Sequence, residues 1–158
     1  MQIAPFEPAR AGKALFQLYT AYINELSAFT RQYGAVWDAP RPWWLGDPDS
    51  LVHVARDGQH LAGFVINGWR SRVDPDTDSE ILELYVAPPF RRSGCGRQLA
   101  HMGISLLSGR AGLQVYLDNT PAQRFWSTVL SGAGIVYRTY GAIDGLAPVV
   151  KFRFSLDV

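Results

Sequence analysis

Hydrophobic residues recur at Leu15, Leu18, Tyr19, Tyr22 and Leu26, with the three-and-four spacing of one helix face. That spacing lays one apolar stripe along an amphipathic helix, predicted from Ala9 to about Leu26. Ahead of it, M-Q-I-A-P-F reads as a short strand closed by Pro8. Behind it the rhythm breaks in F-T-R-Q-Y-G-A-V-W-D-A-P-R-P-W-W-L-G-D-P, a loop or broken helix dense in aromatics and proline. Strand-like runs follow: Leu51 to Arg56, then Leu61 to Trp69, joined at the hairpin signal Asp57-Gly58. After a polar loop at 71–79, Glu80 to Ala87 reads as a strand and Gly96 to Leu107 as a helix. Leu113 to Leu117 is a further strand, and Pro121 to Leu130 a helix with proline in its tolerated first turn. Ile135 to Tyr140 and Val149 to Leu156 close the chain as two strands around A-I-D-G-L-A-P.

This order mixes hairpins with one strand–helix–strand–helix passage, which predicts an α+β sheet domain rather than a doubly wound one. At 158 residues, with 47% hydrophobic residues, residues 1–158 are expected to form one domain with a sizeable core. A formal charge of +1 argues against a general binder of nucleic acid or of membrane surfaces. All basic residues but Lys13 and Lys151 are arginine. The single Cys95 excludes an intramolecular disulfide and a cysteine-cluster metal site. With neither a signal-peptide pattern nor an apolar run of the ~20 residues that span a bilayer, a cytoplasmic protein is expected.

The stretch V-A-P-P-F-R-R-S-G-C-G-R-Q-L, residues 86–99, carries the most chemistry. A helix starting near Gly94 to Gly96 presents backbone N–H groups without intrahelical partners, which with the helix dipole suit an anion. Glycine admits close approach to the main chain. Arg91, Arg92 and Arg97 add fork-shaped donors suited to phosphate oxygens. The plainer reading is a tight strand-to-helix turn with solvated arginines. A Walker-type loop needs Gly-Lys-Ser/Thr and finds no lysine here. A dinucleotide fingerprint needs a third glycine where Leu99 stands.

Val86, Pro88, Arg91, Gly94, Gly96 and Leu99 resemble the acetyl-CoA signature of the GNAT superfamily of N-acetyltransferases, Gln/Arg-x-x-Gly-x-Gly/Ala between a strand and a helix. Asn119-Thr-Pro-Ala122-Gln-Arg-Phe125-Trp126 resembles that superfamily's Asn-x-x-Ala-x-x-Phe/Leu-Tyr segment, at the expected distance. With the strand order, the likeness covers most of the chain. The N-terminal Q-L-Y-T-A-Y-I-N-E-L-S-A-F and D-G-Q-H-L-A-G-F also resemble a smaller bacterial branch of predicted acetyltransferases.

The resemblance implies a mixed, mostly antiparallel sheet of about six to seven strands flanked by helices, with acetyl-CoA bound where the central strand parts from its neighbour. The main chain of Leu84, Tyr85 and Val86 would pair with the pantetheine amides. The amides of Arg92, Ser93, Gly94, Cys95, Gly96 and Arg97 would cradle the pyrophosphate, with Arg91 also in the cofactor site, and Asn119, Phe125 and Trp126 would flank the cofactor arm. Direct acyl transfer to an amine of a small molecule or peptide is then expected, with Glu80, Glu83 or neither as the base. Strand alternation puts these two on opposite faces, unless a bulge intervenes. The departure from the pattern is Trp126, where many members carry a tyrosine that protonates the CoA thiolate. An indole N–H cannot serve as that acid. Tyr137, Tyr140 or water would replace it, or the protein is an acyl-CoA-binding regulatory module with little or no turnover.

The segment holding Tyr19, Tyr22, Glu25, Phe29, Tyr33, Trp37, Trp43 and Trp44 walls the acceptor side in the superfamily. Tyr22, Glu25, Trp37 and Trp69 are the expected acceptor-pocket residues, suited to a cationic or aromatic amine or, equally, to core packing. Asp74, Asp76 and Asp78 alternate like a calcium loop, but Ser79 and Tyr85 stand at its glycine and glutamate positions, so no metal is expected. Cys95 sits where a thiol pKa is lowered, although a packed side chain is the better reading. His53, His60 and His101 lack ligand spacing, with His53 an alternative base if it faces the acceptor. No nucleic-acid or membrane partner is expected. A homodimer is within what the resemblance allows, since dimers are frequent in the superfamily.

Overall fold

The computed structural model describes residues 1–34, 46–70 and 74–156, with main chain alone at 8–11. Trp37, Trp43 and Trp44, singled out in the sequence, lie outside the described residues. The elements are β1 (Gln2–Pro5), α1 (Pro8–Thr30), β2 (Ser50–Asp57), β3 (His60–Trp69), β4 (Ser79–Val86), α2 (Cys95–Ser105), β5 (Gly109–Tyr116), α3 (Thr120–Gly132), β6 (Tyr137–Asp144) and β7 (Ala147–Leu156). The strands form one seven-stranded sheet in the order β1-β2-β3-β4-β5-β7-β6. All neighbours run antiparallel except β4 and β5. This is the mostly antiparallel α+β architecture the sequence implies.

The two faces are built from alternate residues of the same strands. On one face, Leu15, Tyr19, Tyr22 and Ile23 of α1 pack against Val52, Val54, Phe64, Ile66 and Tyr85. On the other, α2 and α3 cover Val65, Ile81, Leu113, Val115, Phe152 and Phe154 with Leu99, Ala100, Trp126, Val129 and Leu130. The helix α2 sits close because Gly103 faces the sheet; a Cβ there would lie 3.0 Å from Val65 and 3.2 Å from Ile81. Fully buried Leu99 anchors this layer, and truncating such a side chain to alanine costs about 2–5 kcal/mol.

The closing hairpin is tighter than its sequence suggests. A loop over A-I-D-G-L-A-P is the expectation, whereas β6 runs to Asp144 and β7 begins at Ala147. Gly145, at φ 59°, opens a two-residue turn that lets both strands continue pairing.

Candidate active site

The parallel pair β4–β5 is short. Ser79 pairs with Ala111, Glu80 with Gly112 and Ile81 with Leu113, and there the pairing stops. Beyond that point β4 stays with β3 through Val86, and β5 stays with β7 through Tyr116. The strands therefore diverge like a V. A cavity of about 420 Å³ occupies the opening, with Leu82, Glu83 and Leu84 along one arm and Gln114, Val115 and Tyr116 along the other. Asn119, Trp126 and Tyr22 complete its walls.

A β-bulge decides which carboxylates enter this space. Glu83 lies opposite Ile66, but Ile81 lies opposite Asn67, so Leu82 is an extra residue in β4. The bulge cancels the alternation that would set Glu80 and Glu83 on opposite faces, and both line the cavity. Their surroundings differ. Glu80 is 3% exposed, and its Oε1 accepts from the Asp74 amide at 2.6 Å and the Thr77 hydroxyl at 3.1 Å. Asp74 in turn accepts from Arg153 at 2.7 and 3.0 Å and lies 3.7 Å from the Lys151 ammonium. Burial works to raise the Asp74 carboxyl, yet the Arg153 and Asp76 hydrogen bonds and the two cations hold it below its usual range. Glu80 thus fastens the β3–β4 loop. Glu83 accepts from the Tyr19 hydroxyl at 3.3 Å. Its charge reaches two further phenols, Tyr22 and Tyr116. Burial, then Glu83, raises Tyr22, while burial, Asp144 and Glu83 raise Tyr116.

The glycine turn has two residues in the left-handed region, Arg92 at φ 61° and Gly94 at φ 86°. Gly94 caps α2 without a side-chain hydrogen bond, and its carbonyl accepts from Gln98. The first amides of an 11-residue helix therefore face outward, with Arg92, Ser93 and Arg97 exposed around them. Arg91 turns the other way. Its Nε donates to the Val86 carbonyl at 2.9 Å, its Nη2 donates to Glu25 at 2.7 Å, and the guanidinium lies 5.5 Å from the Tyr85 ring centre. Cys95 is buried, and burial raises its thiol pKa instead of the lowering that an arginine-rich helix start suggests.

Asn119 lines the cavity and also caps α3, its Oδ1 accepting from the Ala122 amide at 3.2 Å. Trp126 reaches the cavity from α3, with Phe125 packed edge-on against it at 5.2 Å. Of the expected acceptor residues, Tyr22 lines the cavity, and Glu25 and Trp69 do not. Glu25 is bound to Arg91 and to the Tyr85 hydroxyl at 2.9 Å, and Trp69 sits opposite Ser79 at the far end of β3. Trp37 is outside the described residues. His53 pairs with Val65, whose side chain faces α2, so it is on the wrong face to serve as a base there. Tyr137 is bonded to Ser127, and Tyr140 lies under Arg153. The cavity phenols are instead Tyr22 and Tyr116. Sequence reasoning missed Tyr116, Gln114, Asp144 and Lys151. Alternation in Leu113-Gln114-Val115-Tyr116 carried a signal for the first two, while Asp144 and Lys151 reach the site only through strand pairing. Among the described residues no group of three His, Cys, Asp or Glu is placed to hold a metal.

The model of the acetyltransferase (GNAT) family matches residues 15–129, from the middle of α1 to the end of α3. The chain belongs to the GNAT acetyltransferases. The diverging strands beside an outward-facing helix start fit an extended, phosphate-bearing molecule. Similar solved structures include the ribosomal-protein-alanine N-acetyltransferase of Brucella melitensis, 17% identical with a TM-score of 0.69 over 99% of this chain and 100% of that one. The PaiA N-acetyltransferase of Thermoplasma acidophilum, in complex with coenzyme A, is 14% identical with a TM-score of 0.64 over 96% and 98%. Nourseothricin acetyltransferase is 23% identical with a TM-score of 0.53, over 68% of this chain and 65% of that one. At these identities the likeness is one of fold. No curated protein sequence matches this GNAT chain. No helix among its described residues is long and apolar enough to cross a membrane.

Proposed function

We propose that the protein moves an acetyl group from acetyl-CoA to an amine, by direct attack of the amine on the thioester. The observation that carries this reading is the parting of β4 from β5 beyond Ile81, with Glu83 on its wall. Acetyl-CoA supplies an activated acetyl group. The main chain of Leu84, Tyr85 and Val86 pairs with its pantetheine arm, Asn119 and Trp126 bound the arm from the β5 side, and the amides and side chains from Arg92 to Arg97 hold the pyrophosphate. Arg91 acts indirectly, by fixing the Val86 carbonyl and the start of the turn.

Glu83 takes the proton from the attacking amine. Glu80, held by the Asp74 amide and Thr77, keeps a structural post. Tyr116 gives its phenolic proton to the departing thiolate, the part that Trp126 cannot play. Glu83 then returns the proton it has taken to the Tyr116 phenolate, so the cycle closes with neither residue changed. The whole chain serves as one catalytic domain, and a cytoplasmic site of action belongs to the same reading. The alternative, an acyl-CoA-binding module without turnover, draws on Trp126, and the phenol of Tyr116 in the same cavity weighs against it.

Titration calorimetry with acetyl-CoA tests the cofactor site. Losing two charge-assisted contacts in Arg92→Ala/Arg97→Ala should weaken binding about tenfold or more. A thiol-release assay over an amine panel tests transfer. Saturable binding with no thiol released by any amine supports the non-catalytic alternative.

A further inference from the structure

We propose that a second copy of this chain pairs with the outer edge of β6 about a two-fold axis at Gly141, so that Arg138 of each copy meets Asp144 of the other beside the cavity. This stands on the sheet alone and does not depend on the chemistry assigned to the cavity.

The β6 edge is open. The strand ends the sheet and pairs with β7 without a register break. It runs eight residues, Y-R-T-Y-G-A-I-D, with most of them exposed. Proline, lysine, bulges and short length are the devices that keep sheet edges apart, and β6 has none of them. The opposite edge is guarded, since β1 has four residues and ends at Pro5. A second observation falls on the same hairpin. The three most exposed large hydrophobic side chains among the described residues are Val136 at 87%, Ile143 at 71% and Leu146 at 66%. An apolar cluster beside an open edge marks an interaction surface.

The turn of the hairpin fixes which groups face outward. A two-residue turn closes on a hydrogen-bonded pair, here Asp144 with Ala147, and such pairs alternate along the strands. Arg138, Tyr140, Ala142 and Asp144 therefore turn their peptide groups to β7. Those of Tyr137, Thr139, Gly141 and Ile143 point outward.

Charge selects the register. For the sheet to continue, residues opposite one another must share a face, so the axis falls on a residue. An axis at Gly141 bonds that peptide to its own copy and Thr139 to Ile143. It sets Tyr140 against Ala142 and Arg138 against Asp144, in the closer positions between hydrogen-bonded pairs. It also carries Val136 to the turn residue Leu146. An axis at Tyr140 or Ala142 instead sets Arg138 against Ala142 or Leu146. Within one copy, Arg138 lies opposite a like charge, Arg153, whose own partners are Asp74 and Asp76. Asp144 lines the cavity, and its Oδ2 accepts from Gln114 at 2.8 Å. Its Oδ1 is then the acceptor for Arg138 of the second copy, and each cavity gains a guanidinium from the other chain.

An edge contact of this length is a small interface, below about 1,200 Å², so a reversible dimer in the micromolar range is expected. Sedimentation velocity from about 1 to about 200 µM should show it. Arg138→Glu and Asp144→Arg should each weaken the dimer about tenfold or more, and the double swap should restore it. Circular dichroism checks the fold of each variant. A crosslink tests the axis without altering charge. A Cβ at Gly141 meets nothing within 4 Å, and the native Cys95 is buried. Facing Cα atoms lie about 5.5 Å apart, within the disulfide range of about 4.4–6.8 Å. Gly141→Cys should therefore form a disulfide with its own copy under mild oxidation. Thr139→Cys should not, because its counterpart lies four residues along, about 13 Å away. A monomer at every concentration overturns the proposal. A dimer indifferent to both charge swaps overturns it, as does one that links Thr139→Cys as readily as Gly141→Cys.

Discussion

The Arg91 guanidinium reaches from the turn before α2 to the Glu25 carboxylate of α1, 2.7 Å away, and holds the Val86 carbonyl on the way. Both side chains of this pair are 45% exposed, so the ion pair itself contributes only about 0–1 kcal/mol. Arg91→Ala is expected to lower stability by about 1 kcal/mol in urea unfolding. Because Arg91 faces away from the outward amides of α2, this variant should weaken acetyl-CoA less than Arg92→Ala/Arg97→Ala does. Calorimetry on the three proteins checks the ranking.

Glu80 and Glu83 share a face and differ in duty. Glu83→Gln should lower kcat by about 10²–10⁴-fold, the usual size of general base catalysis, with an unchanged unfolding midpoint. Glu80→Ala takes the carboxylate acceptor from the Asp74 amide and should cost about 1–3 kcal/mol of stability. Equal kinetic losses without any stability loss at Glu80 would reverse the assignment.

Tyr116→Phe removes the phenol and keeps the ring. A fall in kcat of about 10²-fold is expected, with the KM for acetyl-CoA little changed. Burial and the charges of Asp144 and Glu83 keep this phenol protonated beyond the ordinary tyrosine range, so wild-type activity should persist through moderately alkaline pH. Steady-state rates across pH test both statements.

His53 is buried, with its Nδ1 lacking a hydrogen-bond partner, and burial lowers its pKa below the ordinary 6.5. The unfolded chain then binds this proton more readily than the folded one. The His53 contribution is complete above its unfolded pKa and is lost as pH falls from there toward the folded value. Thermal unfolding should show Tm dropping as pH falls below about 6.5, and His53→Leu should flatten that slope. Asp74, held low in the folded chain, adds a second loss at more acid pH, below its ordinary 3.8.

Gly63 packs against β4 so closely that a Cβ would stand 2.4 Å from the Tyr85 carbonyl oxygen. Main chain cannot yield as a side chain does, so Gly63→Ala should cost about 1–3 kcal/mol. Since β4 forms one wall of the cavity, acetyl-CoA affinity should fall with it. A midpoint in urea equal to wild type would contradict the packing.

Much of this molecule is written in local patterns. The stripe from Leu15 to Leu26 determines a helix, the runs around Asp57-Gly58 a hairpin, and Gly94-Cys95-Gly96 an uncapped helix start, because each depends on neighbours a few residues away. The same holds for Asn119, whose cap on α3 is made three residues on. Other features depend on which strand lies alongside. A single extra residue at Leu82 opposite β3 turns Glu80 and Glu83 onto one face. The register of β5, β7 and β6 brings Tyr116 and Asp144 to the same cavity from positions 28 residues apart in sequence. Sequence spacing also placed Arg91 among the phosphate ligands, whereas Glu25 on α1 draws it away. Local chemistry thus determined the elements and the uncapped start of α2, and long-range pairing decided which side chains share the cavity, because register and bulges are set by contacts between distant segments.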